Sequence, residues 1–170
     1  MTNYNSVAAT DIRRYLWDNI QSSGILLASD YYADGITDAL VPIIPAQQVP
    51  EFNNLLPGKT YLYYDFEVKT VPVQWWMIEE AMTITTVSQN YEVISKINNL
   101  MLDLFRRYDQ SATDINAYLD SNGGSNFKYH HTLIDNLRSP EPFETEGDYQ
   151  YGSITFTYSY SRNTEGSGRF

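Results

Sequence analysis

The chain contains no cysteine, which removes disulfides, thiolate metal sites and cysteine nucleophiles together. Basic residues are scarce. Only 11 Lys and Arg stand against 21 Asp and Glu, for a net charge of −10, and no basic run exceeds two residues. A protein that grips nucleic acid by its phosphates needs clustered cations, so that class is disfavoured. Acidity does not exclude a wall past which DNA slides, because like charges do not adhere. No apolar run approaches the length needed to span a bilayer, and the N-terminus Met1-Thr2-Asn3-Tyr4-Asn5 lacks a signal-peptide pattern. Nucleotide loops are missing too: there is no Walker-type Gly-Lys-Ser/Thr turn and no Gly-x-Gly-x-x-Gly, and Gly166-Ser167-Gly168 has no helix after it.

Catalytic constellations are equally thin. The adjacent histidines His130-His131 fall on a strand and point to opposite faces, as do Glu79-Glu80. Neither makes a metal pair or a carboxylate dyad, and no Gly-x-Ser-x-Gly elbow supports a nucleophilic serine. The expectation is a protein without catalytic, metal or cofactor residues.

What is abundant is tyrosine, with 15 copies in 170 residues. Its apolar ring and polar tip suit half-buried sheets and subunit contacts, although sheet propensity alone also accounts for it. The length suits one domain over 1–162, followed by a tail at 163–170 that lacks apolar patterning.

Periodicity supplies the elements. Ile12, Tyr15, Leu16 and Ile20 share one face of a first helix over 11–21, capped by Thr10 or Asp11 and ended at Ser22-Ser23-Gly24. Residues 22–58 are irregular, with Pro42, Pro45, Pro50 and Pro57 excluding a long helix. Within them Ile25-Leu26-Leu27 reads as a short strand and 41–49 as extended chain. This segment either wraps a neighbouring subunit or lies on its own domain. An aromatic strand follows over 60–71, with Leu62, Tyr64, Phe66 and Val68 on one face and Tyr61, Tyr63 and Asp65 on the other. Pro72 interrupts it. A second strand over 75–88 sets Trp76, Ile78, Met82 and Ile84 on the oily side, opposite Glu79, Ala81, Thr83 and Thr85.

The strongest helix pattern spans 91–108, capped by Ser88 or Asn90. Ile94, Ile97, Met101, Leu104, Phe105 and Tyr108 form its stripe, and Lys96, Asn98, Asn99 and Asp103 turn away. A shorter helix over 113–120 stops at Gly123-Gly124. Phe127, Tyr129, His131 and Leu133 alternate in a third long strand. The closing strand runs through Ile154, Phe156, Tyr158 and Tyr160, with a bulge expected near Gly152-Ser153. The fold expected is α+β: an antiparallel sheet of about four main strands, the long helix packed on one face and the N-terminal helix beside it.

Two features point to contacts rather than chemistry. If Trp76 packs inward, Trp75 faces the polar side, where it marks a partner contact or is covered by a loop or the first helix. The segment 139–148 carries Glu141, Glu144, Glu146 and Asp148 around two prolines, either as a solvated hairpin tip or as a projection toward a channel or a basic patch.

The order of elements carries a resemblance. A helix is followed by Val41-Pro42-Ile43-Ile44-Pro45, then Tyr61-Leu62-Tyr63-Tyr64, a strand ending Thr85-Thr86-Val87-Ser88, the helix Tyr91-Glu92-Val93-Ile94 and the closing Ile154-Thr155-Phe156-Thr157-Tyr158. Over most of 8–161 this resembles the tail-terminator (tail-completion) and neck ring proteins of long-tailed bacteriophages, in element order and texture rather than in an invariant motif. The resemblance implies a structural virion protein, assembled in the host cytoplasm, that caps the tail tube as a hexameric ring. Such a ring joins tube to head connector, and DNA passes its lumen without specific binding. Trp75, Pro42, Pro45, Tyr61 and Tyr63 are the candidate subunit contacts; Glu141, Glu144, Glu146 and Asp148 are the candidate lumen or inter-ring loop. The alternatives are a head-closure, neck or tail-tube subunit of the same particle, or a small α+β enzyme or ligand-binding domain.

Overall fold

A computed structural model describes residues 8–24, 43–45, 60–74, 77–142 and 149–162. Three helices, α1 (Ala8–Ser22), α2 (Tyr91–Phe105) and α3 (Asp109–Ser121), accompany five strands: β1 (Ile43–Pro45), β2 (Tyr61–Gln74), β3 (Met77–Ser88), β4 (Phe127–Pro142) and β5 (Gln150–Arg162). The fold is α+β. Its sheet runs β1-β2-β3-β5-β4; the four long strands are antiparallel, and β1 adds three residues parallel to β2 at one edge. No helix among the described residues is long and apolar enough to cross a membrane.

The helices cover the face carrying Leu62, Tyr64, Met82, Ile84, Ile154, Phe156 and Tyr158, all buried. α2 is the centrepiece, with Ile94, Ile97, Met101 and Phe105 fully buried and the Phe105 ring stacked on Phe156 at 4.0 Å between centroids. Of the two candidate caps it is Asn90 that begins α2, accepting from Glu92 N at 3.0 Å. Ser88 braces the turn before it, accepting from Asn90 N at 3.1 Å while bonded to Thr60 at 3.0 Å. Gly24 and Gly124, both at positive φ, close α1 and α3; the Gly124 N–H reaches back to Leu119 O at 2.8 Å.

Several expectations are corrected. α1 begins at Ala8, so Asp11 lies inside the helix and is fully buried rather than capping it. α2 ends at Phe105 because Tyr108 takes φ 51°, which a right-handed helix cannot accommodate; α3 consequently starts at Asp109 instead of 113. Tyr108 leaves the apolar stripe and is 47% exposed. Asn98 does not turn away: it is buried, and its amide donates to Arg138 O at 3.2 Å. β2 continues through Pro72 to Gln74, because the ladder with β3 shifts register between Lys69 and Gln74 and so spares a proline in that interval from regular pairing.

The expected bulge lies on the other strand. β5 keeps unbroken register with β3 from Tyr160 to Gln150, whereas β4 shifts against β5 at three places, between Tyr129 and His131, Ile134 and Asn136, and Arg138 and Glu141. The first shift reverses the alternation. Thr132, opposite Tyr158, faces the helices and is fully buried, and Leu133 turns outward at 53% exposure.

At Gly152 the helix layer meets the sheet closely. A Cβ there would stand 2.6 Å from Ile94 Cγ2, 3.1 Å from Asn98 Nδ2 and 3.2 Å from Arg138 O. Gly152→Ala is therefore expected to lower stability by about 1–3 kcal/mol in urea unfolding. A substitution without effect would show that α2 does not sit this close.

Candidate functional site

Two features stand out on the described residues: a buried tyrosine–carboxylate cluster and the free edge of β4. The cluster arises from strand alternation. Glu80 occupies the same face as Met82 and Ile84, so its carboxyl lies inside at 3% exposure. Register places Tyr158 directly opposite, and Tyr160 follows two residues along β5. The Tyr158 hydroxyl donates to Glu80 Oε2 at 2.6 Å and the Tyr160 hydroxyl to Oε1 at 2.5 Å, giving each carboxylate oxygen one donor. Across β4, the Tyr129 hydroxyl donates to Ala8 O at 3.0 Å and lies 3.3 Å from Asp11 Oδ2, which also accepts from Ser125. Burial pushes the Tyr129 and Tyr158 phenols well up, reinforced by Asp11 and Glu80 respectively; Tyr160 rises for the same reasons. These groups stay neutral and serve as donors. Tyr118 ties α3 to α1 likewise, donating to Asp18 and to Arg14 O at 3.3 Å.

Chemically this cluster satisfies itself. It fixes β3 against β5 and α1 against β4. Among the described residues no set of three His, Asp or Glu could hold a metal ion. The described groove between α1 and α2, about 610 Å³, opens widely to solvent. Val93 and Leu100 line it with Lys96, Asn99 and Asp103, the last already paired with Arg106 at 3.1 Å.

The β4 edge is built differently along its length. At Tyr129 the outward N–H donates to Asn116 Oδ1 at 2.9 Å and the outward carbonyl accepts from Asn116 Nδ2 at 2.8 Å, so a side chain of α3 stands in for a neighbouring strand. Thr132 then bonds Phe105 O at 2.6 Å, and Tyr108 stacks on His131 with centroids 4.7 Å apart. His130 Nε2 bonds Ser161 Oγ at 2.7 Å; burial, followed by Lys128 and His131, holds the imidazole below its usual range. Beyond these contacts Leu133 and Leu137 stand 53% and 40% exposed, with Asp135, Asn136 and Arg138 also exposed.

The residues singled out from sequence fare unevenly. Trp75, Pro42, Glu144, Glu146 and Asp148 lie outside the described residues, as does Trp76. Pro45 pairs in register with Tyr64 on the parallel edge, and Glu141 with Tyr151 near the end of β4. Tyr61 is 2% exposed and belongs to the core cluster. Tyr63 is half-buried, its phenol raised by burial although Thr85 bonds it. Ile78 keeps its expected parity but is 42% exposed near the start of β3. The sequence reading missed Glu80 and Asn116. An acid in the same alternating row as Met82 and Ile84 was the available signal for Glu80; nothing in the sequence distinguishes Asn116 from other helix-surface amides.

No protein-family model and no curated protein sequence matches this chain.

Removing Glu80 alone would leave two buried hydroxyls without an acceptor. Glu80→Ala is expected to cost about 2–4 kcal/mol by urea unfolding, whereas Glu80→Met combined with Tyr158→Phe and Tyr160→Phe should recover much of that loss. If Glu80→Ala unfolds at the wild-type midpoint, the cluster does not hold the sheet.

Proposed function

We propose that this chain is a structural protein of a bacteriophage particle at the head–tail junction, acting as a tail terminator that closes the tail tube as a ring and joins it to the head connector. One observation carries most weight: β4 is an edge strand capped by side chains over its first part, with Leu133, Asp135, Asn136, Leu137 and Arg138 exposed beyond it. Tyr108, Leu133 and Leu137 are exposed along that strand. Such an edge is a liability for an isolated subunit and an asset for one that meets a neighbour. The buried ionisable groups fit the same reading, since Glu80 and Asp11 are engaged with tyrosine hydroxyls of the interior.

In this reading recognition works through shape and interface complementarity. Six copies enclose a lumen through which DNA passes, and the acidity of the chain keeps the passage non-adhesive. A closed ring needs a heterologous contact in which two different patches meet. A head-closure or neck subunit would use the same surfaces, and a tube subunit would repeat the contact without closing.

Light scattering and negative-stain imaging of the purified chain distinguish these outcomes. A discrete six-chain ring is expected. Open filaments would indicate a tube subunit, and a monomer at high concentration would contradict the assembly reading.

A further inference from the structure

Asn122-Gly123 is the one place in the sequence where glycine follows asparagine. Glycine has no side chain to shield its nitrogen from the amide carbon of the preceding residue, so this pair is open to intramolecular attack. The fold sets it at the end of α3. Ser121, Asn122 and Gly123 are all exposed, and Gly123 and Gly124 take φ 98° and 77°, the left-handed geometry that ends a helix. Three hydrogen bonds hold the turn. The Asn122 and Gly124 N–H groups donate to Leu119 O at 3.0 and 2.8 Å, and Asn122 Nδ2 donates to Tyr118 O at 2.7 Å. The Gly123 N–H between them forms no hydrogen bond among the described residues.

We propose that Asn122 is a site of spontaneous deamidation and that the cap of α3 is the lock on it. The Gly123 nitrogen loses its proton to solvent and bonds to Asn122 Cγ, and the side-chain nitrogen leaves as ammonia. The five-membered imide then takes up water at either carbonyl, giving aspartate or isoaspartate at 122. In the closed cap this ring cannot form. At ψ 39° the Gly123 nitrogen lies anti to Asn122 Cβ, and the side-chain amide is turned back to Tyr118 O. Closure therefore requires the last turn to open, and helix ends are where opening costs least. The product cannot restore the cap. A carboxylate at 122 has no N–H for Tyr118 O, and it adds negative charge at the negative end of α3, whose last turn has no basic residue. Isoaspartate also lengthens the backbone by one carbon between Leu119 and Gly124, whose hydrogen bond closes the turn. The chemistry uses water alone, so it proceeds with or without assembly.

Ageing the full chain for weeks in mildly alkaline buffer, followed by peptide mapping by mass spectrometry, tests this. The peptide containing Asn122 should gain the mass that exchange of NH2 for OH brings, as a mixture of aspartate and isoaspartate, and Asn122→Gln should abolish the signal. The same conversion should run faster in urea that unfolds the chain, because the cap is then gone. Gly124→Ala forces a side chain into left-handed geometry without a clash, so it weakens the cap and should speed native conversion at least about threefold. Should that variant fail to fold, the wild-type comparison between native buffer and urea decides alone. An Asn122 that stays intact in the native chain would overturn the proposal. Equal rates in native buffer and in urea would overturn the lock, as would a folded Gly124→Ala that converts no faster than wild type.

Discussion

Sixteen residues of β4 lie opposite thirteen of β5, and one surplus residue at each of three register shifts absorbs the difference. Much of the molecule depends on that mismatch. β5 is locked in regular register with β3, so β4 must bulge to follow it. Each bulge re-aims the residues that follow. Tyr129, Thr132, Ile134 and Leu137 pair in turn with Tyr160, Tyr158, Phe156 and Ile154, one row on the helix face, although their numbers do not alternate. The carbonyl of Arg138, at the third shift, is the one that buried Asn98 reaches from α2. Without the bulges, either Tyr129 or Thr132 would face away from the helices.

That geometry explains what the sequence disclosed and what it hid. The stripes of α1 and α2 were legible because helix periodicity depends on local spacing, and Ile12, Leu16, Ile94, Ile97, Met101 and Phe105 are all fully buried. The strands of β2, β3 and β5 were legible for the same reason. Leu133 was misplaced because a bulge is a property of two strands, and nothing within 127–142 shows that its partner is shorter. Asn98 was misread because its polar side chain looks solvent-facing until Gly152 opens space beneath it. Tyr108 was read as helix continuation because an aromatic at the right spacing gives no warning of a positive φ. Glu80 was discounted as half of a failed dyad, although its place between Ile78 and Met82 marked it as a carboxyl on the oily side.

The candidate sites divide along the same lines. The buried tyrosines and carboxylates serve the interior, joining β3 to β5 and α1 to β4. The outer edge is where the molecule is unfinished. Asn116 and Thr132 complete its first part from within the chain, and Leu133, Asp135, Asn136, Leu137 and Arg138 beyond it are exposed. An assembly subunit needs this division, with a specified interior and an edge left for its neighbour. The proposed junction role draws on that edge.

Amide hydrogen exchange along β4 tests the central claim most directly. A half-capped edge should leave the Tyr129 amide strongly protected and the outward amides of 133–138 open to solvent. Asn116→Ala should then speed exchange at Tyr129 by at least about tenfold, because the acceptor of that N–H is gone. Fast exchange at Tyr129 in the wild-type chain, or protection unchanged by the substitution, would contradict it.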